Sequence, residues 1–64
     1  EEQLSDREIS VLEQLQTGAS RKTAAENLNI SIHTISTHIR SIYSKLQVHN
    51  VSGALNKAVS MGFI

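Results

Sequence analysis

Between Ser20 and Leu46 the chain reads as two short helical segments with only Asn29-Ile30-Ser31 between them, and so tight a connection fixes the angle at which the helices cross. The first segment is Arg21 to Leu28. Ser20 precedes it as N-cap, where a hydroxyl accepts a hydrogen bond from a free N–H of the first turn. Asn29 stops it, because asparagine tolerates the left-handed backbone that ends many helices, and Ser31 is already placed to cap the second segment.

That second segment, Ile32 to about Gln47, sorts by face when its residues are laid out at about 100° each. Ile32, Ile35, Ile39, Ile42 and Leu46 fall in one stripe, the expected core side. His33, Ser36, Thr37, Arg40, Ser41 and Ser44 lie opposite, a small polar face with one arginine, no carboxylate and no large apolar side chain. Solvated helix faces favour Glu, Lys and Gln, which form helices better than Ser and Thr. A face of this composition suits close approach to a charged polymer. At about 1.5 Å per residue the segment is roughly 24 Å long, enough to lie along a DNA groove and reach several base pairs.

Six basic and six acidic residues give a formal net charge of zero, which by itself argues against a nucleic-acid partner. The distribution argues the other way. Glu1, Glu2, Asp6, Glu8, Glu13 and Glu26 all precede Asn27, while Arg40, Lys45, Lys57 and the three histidines follow it with no acid among them. Segregation of this kind produces a modest positive field on one side of a neutral molecule.

Sixty-four residues make one small domain. A chain of that size buries only about 60% of its unfolded surface, so its core must come from closely packed elements. Proline is absent and no period-two alternation is sustained, which leaves no strand signal and predicts an all-α, four-helix domain of the helix-turn-helix kind over residues 1–64. The absence of cysteine excludes disulfides and thiolate metal sites. No apolar run approaches the roughly 18 residues of a membrane span and no signal peptide is present, so a cytoplasmic domain without membrane contact is expected. Because the chain starts at Glu1 and not at Met, excision from a longer regulator with an upstream receiver or sensory domain is also expected.

The flanking helices have their own signals. Ser5-Asp6-Arg7-Glu8 is a capping box, with Leu4 and Ile9 as its hydrophobic staple. That helix should run to about Gln16, with Ile9, Leu12 and Leu15 on one face and Gly18 as its stop. The last helix, Val51 to about Met61, has Asn50 as N-cap and puts Val51, Ala54, Leu55 and Ala58 on one side with Val59 beside them. Gly62 ends it, and Phe63-Ile64 can fold back on the core. Ala54 and Leu55 are expected to pack within the domain, Ala58 and Val59 to form a subunit contact.

Ala25, Asn29 and Ile35 supply the small contact residue, left-handed turn residue and inward branched residue that a helix-turn-helix needs. With Leu4-Ser5-Asp6-Arg7-Glu8, Gly18-Ala19-Ser20-Arg21-Lys22, Ala25-Glu26-Asn27-Leu28-Asn29-Ile30-Ser31, Thr34-Ile35-Ser36-Thr37-His38-Ile39, Lys45-Leu46-Gln47-Val48, Ala54-Leu55 and Ala58 before Gly62-Phe63-Ile64, essentially the whole chain resembles the LuxR/GerE-type DNA-binding domain. This is the output module of many response regulators and quorum-sensing regulators. The resemblance implies sequence-specific binding of double-stranded DNA with the third helix in the major groove. Ser36, Thr37 and Arg40 would then meet base edges, with His33 nearby; Lys22, Thr34 and Lys45 would meet phosphate. The fourth helix would form a homodimer on DNA through Ala58 and Val59, and RNA polymerase is a further candidate partner. The family usually carries Lys where this chain has Ser36 and a basic residue where it has Val51. Both departures remove positive charge and imply weak binding by the isolated domain.

An enzyme is the first competing class. Its best material is His33, His38 and His49, but His33 and His38 lie about 140° apart on a helix and cannot ligate one metal. No carboxylate pair or nucleophile and base accompanies them, so catalysis, a metal, a cofactor and a small-molecule ligand are not expected. A protein-interaction module on the same fold is the second, since fold does not fix function.

Overall fold

In the computed structural model, which describes residues 3–64, every helix begins and ends by the same two devices. The helices are α1 (Asp6–Gln16), α2 (Arg21–Leu28), α3 (Ile32–Leu46) and α4 (Val51–Ser60). Each starts at a side-chain cap: Ser5, Ser20 and Ser31 accept from the N–H groups of Glu8, Thr23 and Thr34, and Asn50 accepts from Gly53. At Ser5 the box is complete, since its own N–H donates to Glu8 Oε1 at 2.9 Å.

Each helix ends at a left-handed residue followed by an amide that reaches back five positions. Gly18, Asn29, Gln47 and Gly62 have φ of +91°, +60°, +57° and +81°. The N–H groups of Ala19, Ile30, Val48 and Phe63 then donate to the carbonyls of Gln14, Ala25, Tyr43 and Ala58, at 3.2, 3.0, 3.0 and 2.8 Å. This closure satisfies carbonyls that a helix end otherwise leaves to water, and it turns the chain sharply enough for very short connections. At Gln47 the device uses a residue that sequence does not mark as a helix stop.

Packing follows from the apolar faces. Leu4, Val11, Leu12, Leu15, Ala24, Ala25, Ile35, Ile39, Ile42, Leu46, Ala54 and Ala58 form a continuous buried core, with Phe63 and Ile64 folded against it. α1 packs on the other three helices, α3 packs on α2 and α4, and α2 does not meet α4. Ala25 of α2 is almost fully buried in this core, so a larger side chain there would overpack it at a cost of about 1–3 kcal/mol.

Three expectations are corrected. Ile32 is 49% exposed and is not part of the core stripe. It is the first residue of α3, and side chains on a helix lean toward its N-terminus, so this one projects past the end of the packed region. On α1, Val11 is fully buried while Ile9 is only half-buried, which rotates the inward face by part of a turn. Ala58 has no exposed surface in the single chain and belongs to the core that α4 forms by packing on α1 and α3; it cannot touch a second subunit as it stands.

Candidate nucleic-acid interface

The outward face of α3 begins at Ser31, whose hydroxyl accepts from the Thr34 N–H at 3.0 Å and lies 2.9 Å from the Thr34 hydroxyl. His33, Thr37, Arg40 and Ser44 are exposed along it, while Thr34, Ser36 and Ser41 are half-buried at its edges. Thr37 turns its hydroxyl back to donate to the His33 carbonyl at 3.1 Å. That bond fixes the side chain and leaves its methyl group and an oxygen lone pair for whatever meets the face, a contact set that suits a thymine methyl or a base donor.

Beside this face, the first turn of α2 and the middle of α3 enclose an open groove lined by Arg21, Ser36, Ile39, Arg40 and Tyr43. Arg21 and Lys22 are both exposed in that first turn, which carries no acidic residue. A helix N-terminus favours anions, so two cations there are unfavourable for α2 itself. Of this pair the sequence singles out Lys22, while Arg21 beside it is the one that lines the groove.

Lys45 departs from its expected role. Its ammonium turns inward, 2.9 Å from Glu8 Oε1 and 3.3 Å from the Gln3 carbonyl. Glu8 is 4% exposed. Burial by itself would raise its pKa, but hydrogen bonds from Ser41, Lys45 and the Ser5 N–H, with the charge of Lys45, outweigh that and hold it at about 2, against an ordinary 4.5. Lys45 is thus occupied in locking α3 to α1. Ser41, assigned by spacing to the outer face, sits on the flank that serves the same carboxylate. Arg7 is likewise engaged, donating to the Leu28 carbonyl at the end of α2 at 3.4 Å.

On α4, Val59 is 53% exposed, as is 46% of Met61, while Leu55 packs partly against the core. Because α2 and α4 do not meet, this apolar strip and the groove between α2 and α3 belong to different parts of the surface. Among the described residues, no group of three or more His, Asp or Glu side chains could hold a metal ion, and no helix is long and apolar enough to cross a membrane. Glu1 and Glu2, part of the acidic N-terminal segment, lie outside the described residues.

Four short capped helices with a tight α2–α3 crossing and a third helix whose outer face is polar and acid-free define a helix-turn-helix domain. Residues 2–58 match the family described as bacterial regulatory proteins, luxR family, and the chain belongs to that family, whose members are transcriptional regulators and not enzymes. It is 49% identical over 47 residues to a nitrate/nitrite response regulator protein homolog of Haemophilus influenzae, covering 73% of this chain and 23% of that protein. It is 44% identical over 57 residues to the fimbriae Z protein of Salmonella typhimurium, covering 89% of this chain and 27% of that one. A crystal structure of the response regulator ChrA of a heme-sensing two-component system aligns with the whole chain at a TM-score of 0.95 and 41% identity, over 32% of its own length. The chain therefore spans between about a quarter and a third of the proteins it matches.

Proposed function

We propose that this domain binds double-stranded DNA in a sequence-specific way, with α3 in the major groove and with pairing of two copies through α4. Arg40 is the principal base-reading residue, because its guanidinium can donate two parallel hydrogen bonds to guanine O6 and N7. Thr37 and Ser36 add shape and hydroxyl contacts, with His33 at the N-terminal end of the helix. Lys22 and Thr34 contact backbone phosphate. Lys45 is left out of the contact set, since its charge is already matched by Glu8.

The observation that carries this proposal is the outer face of α3, exposed from His33 to Ser44 and free of acid over its whole length. Membership of a family of transcriptional regulators supports the same partner. Pairing through α4 rests on the exposed Val59 and on the small number of uncommitted cations, too few for one copy to hold DNA tightly. Selection of bound sequences from a random duplex pool tests the proposal. Enrichment of a defined inverted repeat is the expected result. Recovery of an unenriched pool, or affinity indifferent to salt, would favour a protein-docking module on the same fold.

A further inference from the structure

Four of the six basic side chains fall into two contrasting pairs. Arg7 and Lys45 are bonded to a helix-end carbonyl and to a buried carboxylate, so their placement is explained by the fold. Arg21 and Arg40 make no hydrogen bond or ion pair among the described residues, yet they line one groove together with Ser36, Ile39 and Tyr43, and that lining contains no carboxylate. Two guanidinium groups around one opening repel each other unless an anion lies between them. Arg21 is also the first residue of α2, where the helix dipole disfavours a cation, and Lys22 follows it. Among the described residues no carboxylate is paired with either arginine.

We propose that Arg21 is a second DNA-contacting arginine, gripping a backbone phosphate from α2 across the groove from Arg40, in space left open by the small side chain of Ser36. The inference rests on the DNA-binding function proposed above. Phosphate, not a base, is the ligand, because the first helix of such a pair crosses the backbone while the second enters the groove. The planar fork of a guanidinium matches two phosphate oxygens, and Tyr43 lines the same opening. Charge is thereby delivered to the edge of α3 without a long cation on α3 itself at position 36.

Salt titrations of binding to a 20-base-pair random duplex and to a selected site, read by fluorescence anisotropy, test this. Arg21→Ala should weaken binding to both duplexes by the same factor and reduce the slope of log affinity against log salt by about 0.9 in magnitude, the value for one released counterion. Arg21→Lys should keep the slope. Adding Ser36→Lys to Arg21→Ala should restore it, because the cation then enters the same groove from the other wall. The melting temperature of Arg21→Ala should stay the same or rise, since a misplaced cation is removed from a helix start. An unchanged slope in Arg21→Ala, a loss confined to the selected site, or a fall in melting temperature accompanying the loss would each overturn the proposal while leaving DNA binding intact. A parent chain that binds neither duplex at any salt concentration would overturn both it and the function on which it rests.

Discussion

The carboxylate of Glu8 in the first turn of α1 lies 2.9 Å from the ammonium of Lys45 in the last turn of α3. Each charge also sits at the helix end whose dipole favours it, an acid near an N-terminus and a base near a C-terminus. The pair joins residues far apart in sequence, and the Ser5 N–H and Ser41 complete the shell of the carboxylate. It therefore sets the position of α3, the helix proposed to read DNA, relative to the rest of the domain.

Acid should weaken the fold through this pair. Glu8 has a lower pKa folded, about 2, than in its ordinary state, 4.5, so folding favours the ionised form. Its contribution is complete above about pH 5 and is lost as pH falls toward 2, amounting to about 3 kcal/mol for a shift of this size. Urea unfolding between pH 6 and pH 2 measures it. Glu8→Gln should lower stability at pH 6 and flatten most of the pH dependence; a Gln variant with the parent's full pH profile would assign the effect to other carboxylates.

Lys45 and Lys22 should behave oppositely. Lys45→Ala leaves a buried carboxylate without its partner, a change that costs about 3–5 kcal/mol in full burial and less here, where the lysine side chain is 22% exposed. Its salt slope on DNA should match the parent's when measured well below its melting temperature. Lys22→Ala should leave stability nearly unchanged and reduce the slope by about 1. A reduced slope for Lys45→Ala would return that residue to the phosphate contacts.

Capping and turn chemistry made most of the fold legible in sequence, because Ser5, Ser20, Ser31, Asn50, Gly18, Asn29 and Gly62 act on their own immediate neighbours. Where inference failed, the cause lay in relations across the chain. Ile32 matches its stripe by spacing, but only a neighbouring helix decides whether the first turn is covered, and none covers it. Ala58 is as small as an interface alanine would be, yet it is wholly taken up by the domain's own core. The capping role of Glu8 was evident locally, whereas its partner Lys45 stands 37 residues away and reads as one more surface cation. At the site, the outer face of α3 follows from helical periodicity, while the groove that Arg21 shares with Arg40 requires knowing how α2 crosses α3.

Arg40 should carry specificity. Arg40→Ala is expected to cost about 1–3 kcal/mol on the preferred site and to relax preference at a single base pair, with a smaller loss on random duplex. Competition binding with a set of single-base variants of the site reads this directly. Equal losses on specific and random DNA would make Arg40 a phosphate contact, and the base-reading role would pass to Thr37 and Ser36.

Assembly on DNA should depend on Val59. With Ala58 enclosed, Val59 is the exposed large apolar residue of α4, near its C-terminal end, with the half-exposed Met61 just beyond as the C-cap. The free domain should be largely monomeric, since so small a strip buries too little surface to hold two copies together alone. Two copies on inverted half-sites about 10 base pairs apart would enter the major groove on the same side of the duplex, the arrangement that the proposed pairing through α4 requires. Val59→Asp should keep the helical signal and the affinity for one half-site, because an exposed position tolerates charge, yet abolish cooperative occupation of the paired site. Ala58→Asp should instead unfold the domain, since it buries an unpaired carboxylate in the core. If Val59→Asp still fills both half-sites cooperatively in a band-shift titration, α4 is not the interface and that part of the proposal fails.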